Sequence, residues 1–306
     1  MTIRHLRIFV AVADSGKMSI AAAKFFISQP TVSQTIKELE EHYGVLLFER
    51  FCKKLYITEE GIRLLSYARH LVNEFDRLEE KMIEGNHIEK LRIGATVTVG
   101  NCILGDIINR FKKRNSQVET YAYVNNTKII EEKLLKSELD IAIVEGKVKS
   151  SDLISIPVVN DYLVLVCSKK HGLAKKKKIK LEELSRVSFA MRESGSGTRE
   201  LFENYMKDNG IEIKIVWEGN CPEAIKKTVI ENQYFAVMSV RLIESEVKND
   251  EIHVIQSSES AFDRCFSIVY HKNKFISGAM KGLIEMVVDY NDKDILQGIQ
   301  TGRLIV

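Results

Sequence analysis

The sequence predicts an α+β multidomain protein with an N-terminal winged helix-turn-helix, a long linker helix and a C-terminal domain of two α/β lobes. Three observations predict this order. Short amphipathic helices fill the first 58 positions, a heptad pattern follows, and beyond residue 89 short apolar strands alternate with helices. The predicted domains are 1–58, 59–88 and 89–306, with lobe I at about 89–162 and 268–306 and lobe II at about 163–267.

The charge distribution indicates a polyanionic partner for the first domain. Residues 1–58 carry eight Lys and Arg against five Asp and Glu, whereas residues 59–306 carry 37 of each, so the net charge of +3 lies in the first domain. The longest apolar run, 162–167, is far shorter than the ~20 residues that cross a bilayer, which predicts no membrane partner. Five cysteines without a CxxC pair are typical of reduced thiols and predict a cytoplasmic protein: Cys52, Cys102, Cys167, Cys221 and Cys265.

Three helices are predicted in the first domain. Apolar residues recur at three- and four-residue steps through the first 13 positions, which predicts an amphipathic helix. A second helix, over about 19–26, has Ser19 in position to cap it. Ser28 and Pro30 predict the start of the third helix, because a serine cap and a first-turn proline both favour initiation, and Gly44 predicts its end.

The third helix has one apolar side and one side that is polar but hardly charged. Such a polar side suits base edges, because Gln amides pair with adenine, Ser hydroxyls serve either base, and Lys reaches guanine or phosphate. We therefore interpret it as a recognition helix for the major groove, the alternative being an ordinary solvated helix. The polar side consists of Gln29, Ser33, Gln34 and Lys37.

A small hairpin is predicted after the third helix. The alternation of Leu55 and Ile57 is typical of a strand, and the polar stretch before it is typical of a turn. This hairpin would present Arg50, Lys53 and Lys54, which can bind phosphates without reading sequence. A solvated turn without a DNA contact is the alternative.

The first sixty residues resemble the DNA-binding domain of LysR-type transcriptional regulators. The resemblance runs without a gap through 6–13, 21–22, 28–36, 39–40, 44, 47–50 and 55–61. It implies a regulator of transcription, with double-stranded DNA and RNA polymerase as partners, whose third helix enters the major groove. The predicted DNA-binding residues are Gln29, Pro30, Thr31, Ser33, Gln34, Lys37, Arg50, Lys53 and Lys54.

The sequence departs from the family pattern at two places. Arginine is common in the family where this chain has Gln34, and a small polar or glycine pair is common where it has Phe51 and Cys52. Loss of the cation should weaken a phosphate or guanine contact. The operator preference of relatives therefore does not transfer to this chain.

A heptad seam is predicted along the linker helix. Six apolar residues step by 4, 3, 4, 3 and 4 positions: Leu64, Ala68, Leu71, Phe75, Leu78 and Met82. A period of 3.5 favours a partner helix, whereas an amphipathic helix lying on its own domain is the alternative. A homodimer would hold two DNA-binding domains at a fixed spacing, which predicts an inverted-repeat operator. The family resemblance also implies homotetramers.

The third domain is predicted to be two wound α/β lobes that are joined twice. The alternation of apolar strands and helices predicts a parallel sheet in each lobe, and the layout resembles periplasmic binding proteins, an architecture that the family also has. The predicted strands are 91–95, 118–124, 140–145, 187–191, 213–218 and 235–239, with 162–167 and 265–270 crossing between lobes. The predicted helices are 102–113, 128–136, 198–209 and 222–231.

Two segments rich in hydroxyl groups predict a small-anion site between the lobes. They follow predicted strands, at the edge where helix N-termini offer N–H groups to anions. The alternative is ordinary capping of two helices, but in the family effectors contact these loops. The predicted effector-binding residues are Thr96, Thr98, Ser194, Ser196, Thr198 and Cys221. The effector would be a small-molecule co-inducer whose identity the sequence leaves open.

An enzyme is not predicted. The sequence has no HExxH, GxSxG or Walker motif, and its seven histidines are not at metal-ligand spacing, so neither a catalytic residue, a metal nor a cofactor is expected. The alternative function is a thiol redox switch that uses the same DNA-binding domain. Cys221 and Cys265 would be its partners, although they lie 44 positions apart without a neighbouring resolving cysteine.

Overall fold

The computed structural model describes residues 1–51, 54–83, 89–257, 260–290, 296–297 and 299–305. Cys52, the predicted DNA-binding residue Lys53 and the end of the predicted linker domain, 84–88, lie outside the described residues. The chain divides into two compact units, Met1–Ile88 with Leu135–Ser137 and Glu89–Leu134 with Glu138–Val306. Among the described helices, none is both long and apolar enough to span a membrane.

The first unit begins with three helices, α1 (Ile3–Ser15), α2 (Met18–Lys24) and α3 (Gln29–Tyr43). The start of α3 has a local cause: the Thr31 N–H donates to the Ser28 hydroxyl at 3.2 Å, which satisfies one of the free donors of the first turn. Gly44 ends α3 with a φ of +69°, a conformation that glycine adopts without strain. The prediction for α2 was wrong in detail, because Lys17, and not Ser19, occupies the N-cap position and the helix ends at Lys24.

A two-stranded wing and a long helix complete this unit. Strands β1 (Phe48–Phe51) and β2 (Lys54–Ile57) pair antiparallel. Glu40 in α3 fixes the start of the wing, since its carboxylate accepts from the N–H groups of Leu47 at 2.8 Å and Phe48 at 3.2 Å. Helix α4 (Glu59–Ile83) follows. Its Gly61 passes so near the Leu47 carbonyl that a Cβ would collide with that oxygen.

The residues of the predicted seam on α4 lie partly in the core of the first unit and partly in solvent. Ala68 has no exposed surface and packs in the core of the first unit, together with the half-buried Leu64. The side chain of Ala68 is therefore directed to the chain's own core and not to solvent. Three residues of the seam are more than half exposed, Leu71, Leu78 and Met82, and so is Tyr67, one position before Ala68. An exposed stripe consequently runs through Tyr67, Leu71, Leu78 and Met82.

Lobe I of the second unit is built on a five-stranded sheet. Its strand order is β4-β3-β5-β12-β6, in which β3, β4 and β5 are parallel and β12 is antiparallel to both neighbours. The strands are β3 (Glu89–Thr96), β4 (Val118–Asn125), β5 (Ile141–Glu145), β6 (Leu153–Ser168) and β12 (Asp263–His271). The helices are α5 (Val97–Val99), a π-helical segment (Gly100–Leu104), α6 (Gly105–Arg114), α7 (Thr127–Leu135) and α11 (Gly278–Val288). The core of this lobe includes the buried side chains of Ile93, Ile107, Phe111, Ile143 and Phe266.

Lobe II is a second sheet that continues from β6. The order β6-β10-β8-β9 is extended on the other side of β6 by β11, β13 and β7. The strands are β7 (Lys178–Lys180), β8 (Ser188–Arg192), β9 (Lys214–Gly219), β10 (Phe235–Ser239), β11 (Ile252–Ser257) and β13 (Gly302–Ile305). The helices are α8 (Gly197–Asp208), α9 (Pro222–Asn232) and α10 (Glu244–Lys248). Apolar clusters cover both faces of this sheet.

The two-lobed α/β fold was predicted correctly, but the division of the chain differs in two places. Strand β12 pairs with β6 from Asp263 onward, so the chain has returned to lobe I a few residues before the predicted 268. Strand β13, which was predicted to lie in lobe I, pairs with β11 and β7, and its Leu304 is buried in the core of lobe II. This strand was missed because it is four residues long and has no local periodicity.

The turn between α2 and α3 contains a strained residue, and its replacement should stabilise the protein. Phe26 has a φ of +53° and is 96% exposed, so it combines a left-handed backbone with a side chain that loses no packing when removed. Asparagine tolerates this conformation better than an aromatic residue. We expect Phe26→Asn to raise the free energy of unfolding by about 1 kcal/mol, measured as slower amide hydrogen exchange in α1 to α3.

The neighbouring Phe25 provides the control for this prediction. Phe25 is half-buried and packs against the core of the first unit, so Phe25→Asn should accelerate exchange in the same helices. Faster exchange in Phe26→Asn than in the parent protein would contradict the proposed strain.

Candidate functional site

The outer face of α3 carries the predicted recognition residues. Gln29, Pro30, Thr31, Gln34 and Lys37 are exposed and Ser33 is half-buried, whereas the opposite face is buried in the core. Two of these side chains contact acids one turn ahead: the Gln34 amide donates to Glu38 at 3.1 Å and Lys37 lies 3.6 Å from Glu41. Exposed contacts of this kind contribute little stability and exchange readily for others. The helix therefore presents a polar surface that can be rearranged at low cost.

A cationic groove lies beside this face, between the wing and the start of α2. It has a volume of about 530 Å³ and contains the side chains of Lys17, Arg50 and Lys54. None of its lining residues is acidic: Ser15, Gly16, Lys17, Met18, Ser19, Gln29, Arg50, Lys54, Leu55 and Tyr56. Three cations around one groove without a carboxylate produce a local positive potential that suits a phosphate.

Sequence reasoning missed seven of the ten residues that line this groove, of which Lys17 is the only cation. Lys17, Ser19 and Tyr56 join the predicted Arg50, Lys54 and Gln29 only through the fold. The sequence contained one signal for Lys17, the glycine that precedes it. Gly16 has a φ of +65° in the structure and turns the chain into α2. The lysine was overlooked because helix-turn-helix reasoning concentrates on the third helix.

The second unit has a closed cleft between its lobes, at the carboxyl ends of β3, β5 and β8. Thr98, Ser196 and Thr198 are almost completely buried there, and so is Arg192 at the end of β8. The hydroxyls of Thr98 and Ser196 find no hydrogen-bond partner among the residues that the structure describes. A cavity beside them has room for a single water, about 10 Å³. It is lined by three polar and five apolar residues: Thr98, Arg192, Thr198, Pro222, Ile225, Val237, Met238 and Leu242.

The lobes approach each other backbone to backbone at two glycines. Gly146 follows β5 in lobe I with a φ of +82°, and Gly197 begins α8 in lobe II. A Cβ on Gly197 would lie 2.9 Å from the Glu145 carbonyl oxygen, and a Cβ on Gly146 would lie 3.1 Å from the Gly197 Cα. Side chains at either position would therefore separate the lobes.

Buried ion pairs connect the lobes next to these glycines. Arg264 of β12 donates to Asp161 of β6 at 2.7 Å, to the Thr198 hydroxyl at 2.9 Å and to Glu145 at 3.4 Å. Arg192 binds Glu193 through two hydrogen bonds of 2.9 and 3.1 Å and lies 4.0 Å from Glu145. The Ser239 hydroxyl donates to Asp161 at 2.6 Å, and Arg241 lies 3.5 Å from the same carboxylate.

The structure separates the predicted effector-binding residues into groups. Thr98, Ser196 and Thr198 lie in the cleft, whereas Ser194 and Cys221 are exposed. Thr96 is fully buried, and its hydroxyl accepts from the Glu145 N–H at 3.1 Å, so it fixes the end of β5. The charged residues of the cleft were missed by sequence reasoning: Glu145, Asp161, Arg192, Glu193, Arg241 and Arg264.

Comparisons of sequence with known proteins agree along nearly the whole chain. Residues 3–62 match the family model described as the bacterial regulatory helix-turn-helix protein of the lysR family, and residues 84–292 match the LysR substrate binding domain. The HTH-type transcriptional activator CmpR of Synechocystis is 29% identical over 278 residues, which cover 90% of this chain and 91% of CmpR.

Solved structures share the fold. A full-length OxyR variant from Pseudomonas aeruginosa superposes with a TM-score of 0.65 at 23% identity, over 94% of each chain. The regulatory domain of Synechocystis CcmR in complex with 2-PG superposes with a TM-score of 0.60 at 23% identity, over 65% of this chain and 96% of that domain. The chain therefore belongs to the LysR family of transcriptional regulators, with an N-terminal DNA-binding helix-turn-helix and a C-terminal effector-binding domain.

Proposed function

We propose that this regulator acts in the cytoplasm as a dimer, binds an inverted-repeat operator through α3 and the cationic groove, and responds to a small anion in the cleft. The observation that carries the DNA-binding part is the groove, in which three cations surround a space that contains no acidic side chain. Contact with RNA polymerase remains a prediction from family resemblance.

The two parts of the DNA-binding surface have different tasks in this proposal. Arg50, Lys54 and Lys17 bind phosphates and set the position of the first unit on the duplex, which contributes affinity without sequence preference. Gln29 and its neighbours on α3 read base edges. Because cation contacts release counterions from DNA, each of them also contributes to the salt dependence of binding.

Removal of one groove cation should lower both affinity and salt dependence. We expect Arg50→Ala, Lys54→Ala and Lys17→Ala each to weaken binding of a labelled duplex from upstream of the protein's own gene. Each should reduce the slope of log K against log salt by about 1. Gln29→Ala removes no charge, so it should leave that slope unchanged and lower discrimination between sequences. Fluorescence anisotropy over a salt series measures both quantities.

Lys227→Ala is the matched control for the salt series. Lys227 lies on α9 in the second unit, its side chain is 76% exposed, and Glu231 is 3.9 Å away. Its loss should change neither affinity nor slope. Equal slopes for Arg50→Ala, Lys54→Ala, Lys17→Ala and the parent protein would exclude the groove from the DNA interface.

A second copy of the chain is the proposed partner of the exposed stripe on α4. Tyr67, Leu71, Leu78 and Met82 leave apolar surface in water along one side of this helix, at steps of four, seven and four residues, which fit the heptad spacing of a helix pair. The first unit covers only the adjacent side, through residues such as Leu65, Ala68 and Val72. Tyr67 therefore replaces Ala68 in the proposed dimer seam, while Leu64 and Phe75 lie at its border.

Charges placed on this stripe should dissociate the dimer. We expect Leu71→Asp with Leu78→Asp to halve the particle mass measured by light scattering, because two carboxylates at a helix interface lose hydration without gaining partners. Ile62→Asp is the control, since Ile62 is 57% exposed on the opposite side of α4 and its replacement should leave the mass unchanged. An unchanged mass in the double variant would show that the dimer contact lies outside this stripe.

The cleft is the proposed effector site because it contains buried polar groups without partners. Burial of a hydroxyl without a hydrogen bond costs about 1–3 kcal/mol, so ligands that bind the hydroxyls of Thr98 and Ser196 recover this cost. The CcmR domain was solved in complex with 2-PG, which supports a small-molecule effector here. Since the cavity has room for one water, an effector must separate the lobes as it enters.

The thiol alternative would require a reactive cysteine. Burial raises the pKa of the Cys102 thiol to about 12, with a further contribution from Asp161, and burial alone raises the pKa of Cys167 to about 12. Both side chains therefore stay protonated near neutral pH and are poor nucleophiles. Cys221 is exposed, whereas Cys265 is half-buried and contacts the Asn160 side chain at 3.4 Å.

The exposure and the pKa of each thiol should determine how fast it is alkylated. We expect iodoacetamide to modify Cys221 rapidly in the folded protein and to modify Cys102 and Cys167 only after unfolding in urea, as measured by mass spectrometry of peptides. A peroxide effect on DNA binding that disappears in Cys221→Ser would favour the thiol alternative. Rapid labelling of Cys102 or Cys167 in the folded protein would contradict the burial and the raised pKa of these two thiols.

A further inference from the structure

The buried charges of the cleft cancel one another. Three guanidinium groups face three carboxylates, at separations of 2.7 to 4.0 Å. The groups are Arg192, Arg241 and Arg264 on one side and Glu145, Asp161 and Glu193 on the other. A fully ionised anion that enters this network therefore meets carboxylates as well as cations, and like charges at short distance in a buried site repel strongly.

Glu145 has acceptor capacity that the protein leaves largely unused. Its side chain is 1% exposed, and its contacts are long, 3.4 Å to the Thr198 hydroxyl, 3.4 Å to Arg264 and 4.0 Å to Arg192. Hydrogen bonds between ionised partners usually measure about 2.7–2.9 Å, and a carboxylate offers roughly four acceptor sites. A stronger donor brought by a ligand would consequently be favoured here.

The donors for an anion lie directly beside this acceptor. Thr98, Arg192 and Thr198 line one cavity, and the buried hydroxyls of Thr98 and Ser196 find no partner in the described part of the chain. A ligand oxygen that accepts from Thr98 or Arg192 comes close to Glu145, because Thr198 lines the same cavity and its own hydroxyl donates to Glu145. The site thus offers donors and one strong acceptor to the same small ligand.

We propose that the effector is an anion that carries its own O–H donor, and that Glu145 determines this specificity by accepting a hydrogen bond from it. Hydrogen phosphate, bicarbonate and 2-hydroxycarboxylates share this chemistry. An anion without a proton would place a bare oxygen against the Glu145 carboxylate and leave the acceptor unpaired, and a site built around one hydrogen bond rejects such analogues by large factors. The inference rests on the proposed effector cleft and adds the chemical class of the ligand.

Two matched pairs of probes test the inference on the full-length protein. Hydrogen phosphate and sulfate are both tetrahedral dianions in mildly alkaline buffer and differ by one O–H, and glycolate and propionate differ by a hydroxyl in place of a methyl. At constant ionic strength, calorimetric titration should give at least tenfold tighter binding of the O–H member in one or both pairs. The pair that shows the difference in affinity indicates whether the effector is an inorganic oxyanion or an organic hydroxy acid.

Glu145→Gln is the decisive variant, because an amide keeps the shape of the carboxylate but can donate. It should bind sulfate at least tenfold more tightly than the parent protein does, because the amide can donate to a bare oxygen. It should also reduce the preference for glycolate over propionate, because a neutral amide oxygen is a weaker acceptor than a carboxylate. Glu193→Gln is the control: it releases Arg192 but leaves Glu145 in place, so it should strengthen binding of both members of a pair and keep their ratio. Thr98→Val should weaken all probes, which assigns the binding to the cleft. Urea unfolding of each variant verifies that it folds.

The outcomes separate this inference from the proposed function. Equal affinity for both members of each pair in the parent protein, or an unchanged ratio in folded Glu145→Gln, would overturn the role of Glu145 and leave the anion-binding cleft intact. Failure of every probe to bind the parent protein and Glu145→Gln would overturn both the inference and the anion proposal.

Discussion

The arrangement of the effector-binding domain depends on one buried ion pair between the strands that connect its lobes. Asp161 and Arg264 are directly opposite in the register of β6 and β12, and both side chains are almost fully removed from solvent. Loss of one partner from such a pair leaves an uncompensated charge, at a cost of about 3–5 kcal/mol. The pair therefore fixes the crossing of the two strands, and from that point Arg264 reaches Thr198 in lobe II and Glu145 in lobe I.

In both candidate sites, the fold leaves polar or charged groups without the close partners that buried charges have in the core of lobe I. In the core of lobe I, Asp140 lies 3.0 Å from Arg92 and 2.9 Å from Lys274, so buried charges there are paired closely. The cleft instead contains two buried hydroxyls without a described partner, and the groove of the first unit gathers three cations without an acid. Since native proteins satisfy nearly all buried polar groups, the two orphaned hydroxyls of the cleft are contacts that the proposed ligand can complete, whereas the exposed cations of the groove attract a phosphate by their charge.

Local signals in the sequence predicted most of the fold, and tertiary contacts account for what was missed. Ser28, Pro30 and Gly44 act within one helical turn, so the bounds of α3 could be predicted from these residues alone. Ala68 fits the heptad spacing as well as Leu71 does, but the sequence does not reveal that α1 packs on that side of α4. Glu145 and Arg264 lie 119 positions apart, and their proximity follows from the return of β12 to lobe I. Thr98, Ser194 and Ser196 were all predicted because hydroxyl groups after a strand are a local pattern, but that pattern does not reveal that Ser194 is exposed while Thr98 and Ser196 are buried.

The size of the cleft connects ligand entry with movement of the lobes. In the proposed effector site, a ligand larger than a water has no room in the cavity beside Thr98 and Thr198, so its entry would require the lobes to separate and the contact between Thr198 and Glu145 to lengthen. A ligand shifts a conformational equilibrium only by the difference between its affinities for the two states. In the proposed site this difference is large, because the closed state has room for a single water and a separated state would offer a ligand the hydroxyls of Thr98 and Ser196. Under the proposed role of Glu145, the charge balance of the cleft then selects ligands that hold the lobes apart, since the long contacts of this carboxylate leave room for a stronger donor on the ligand.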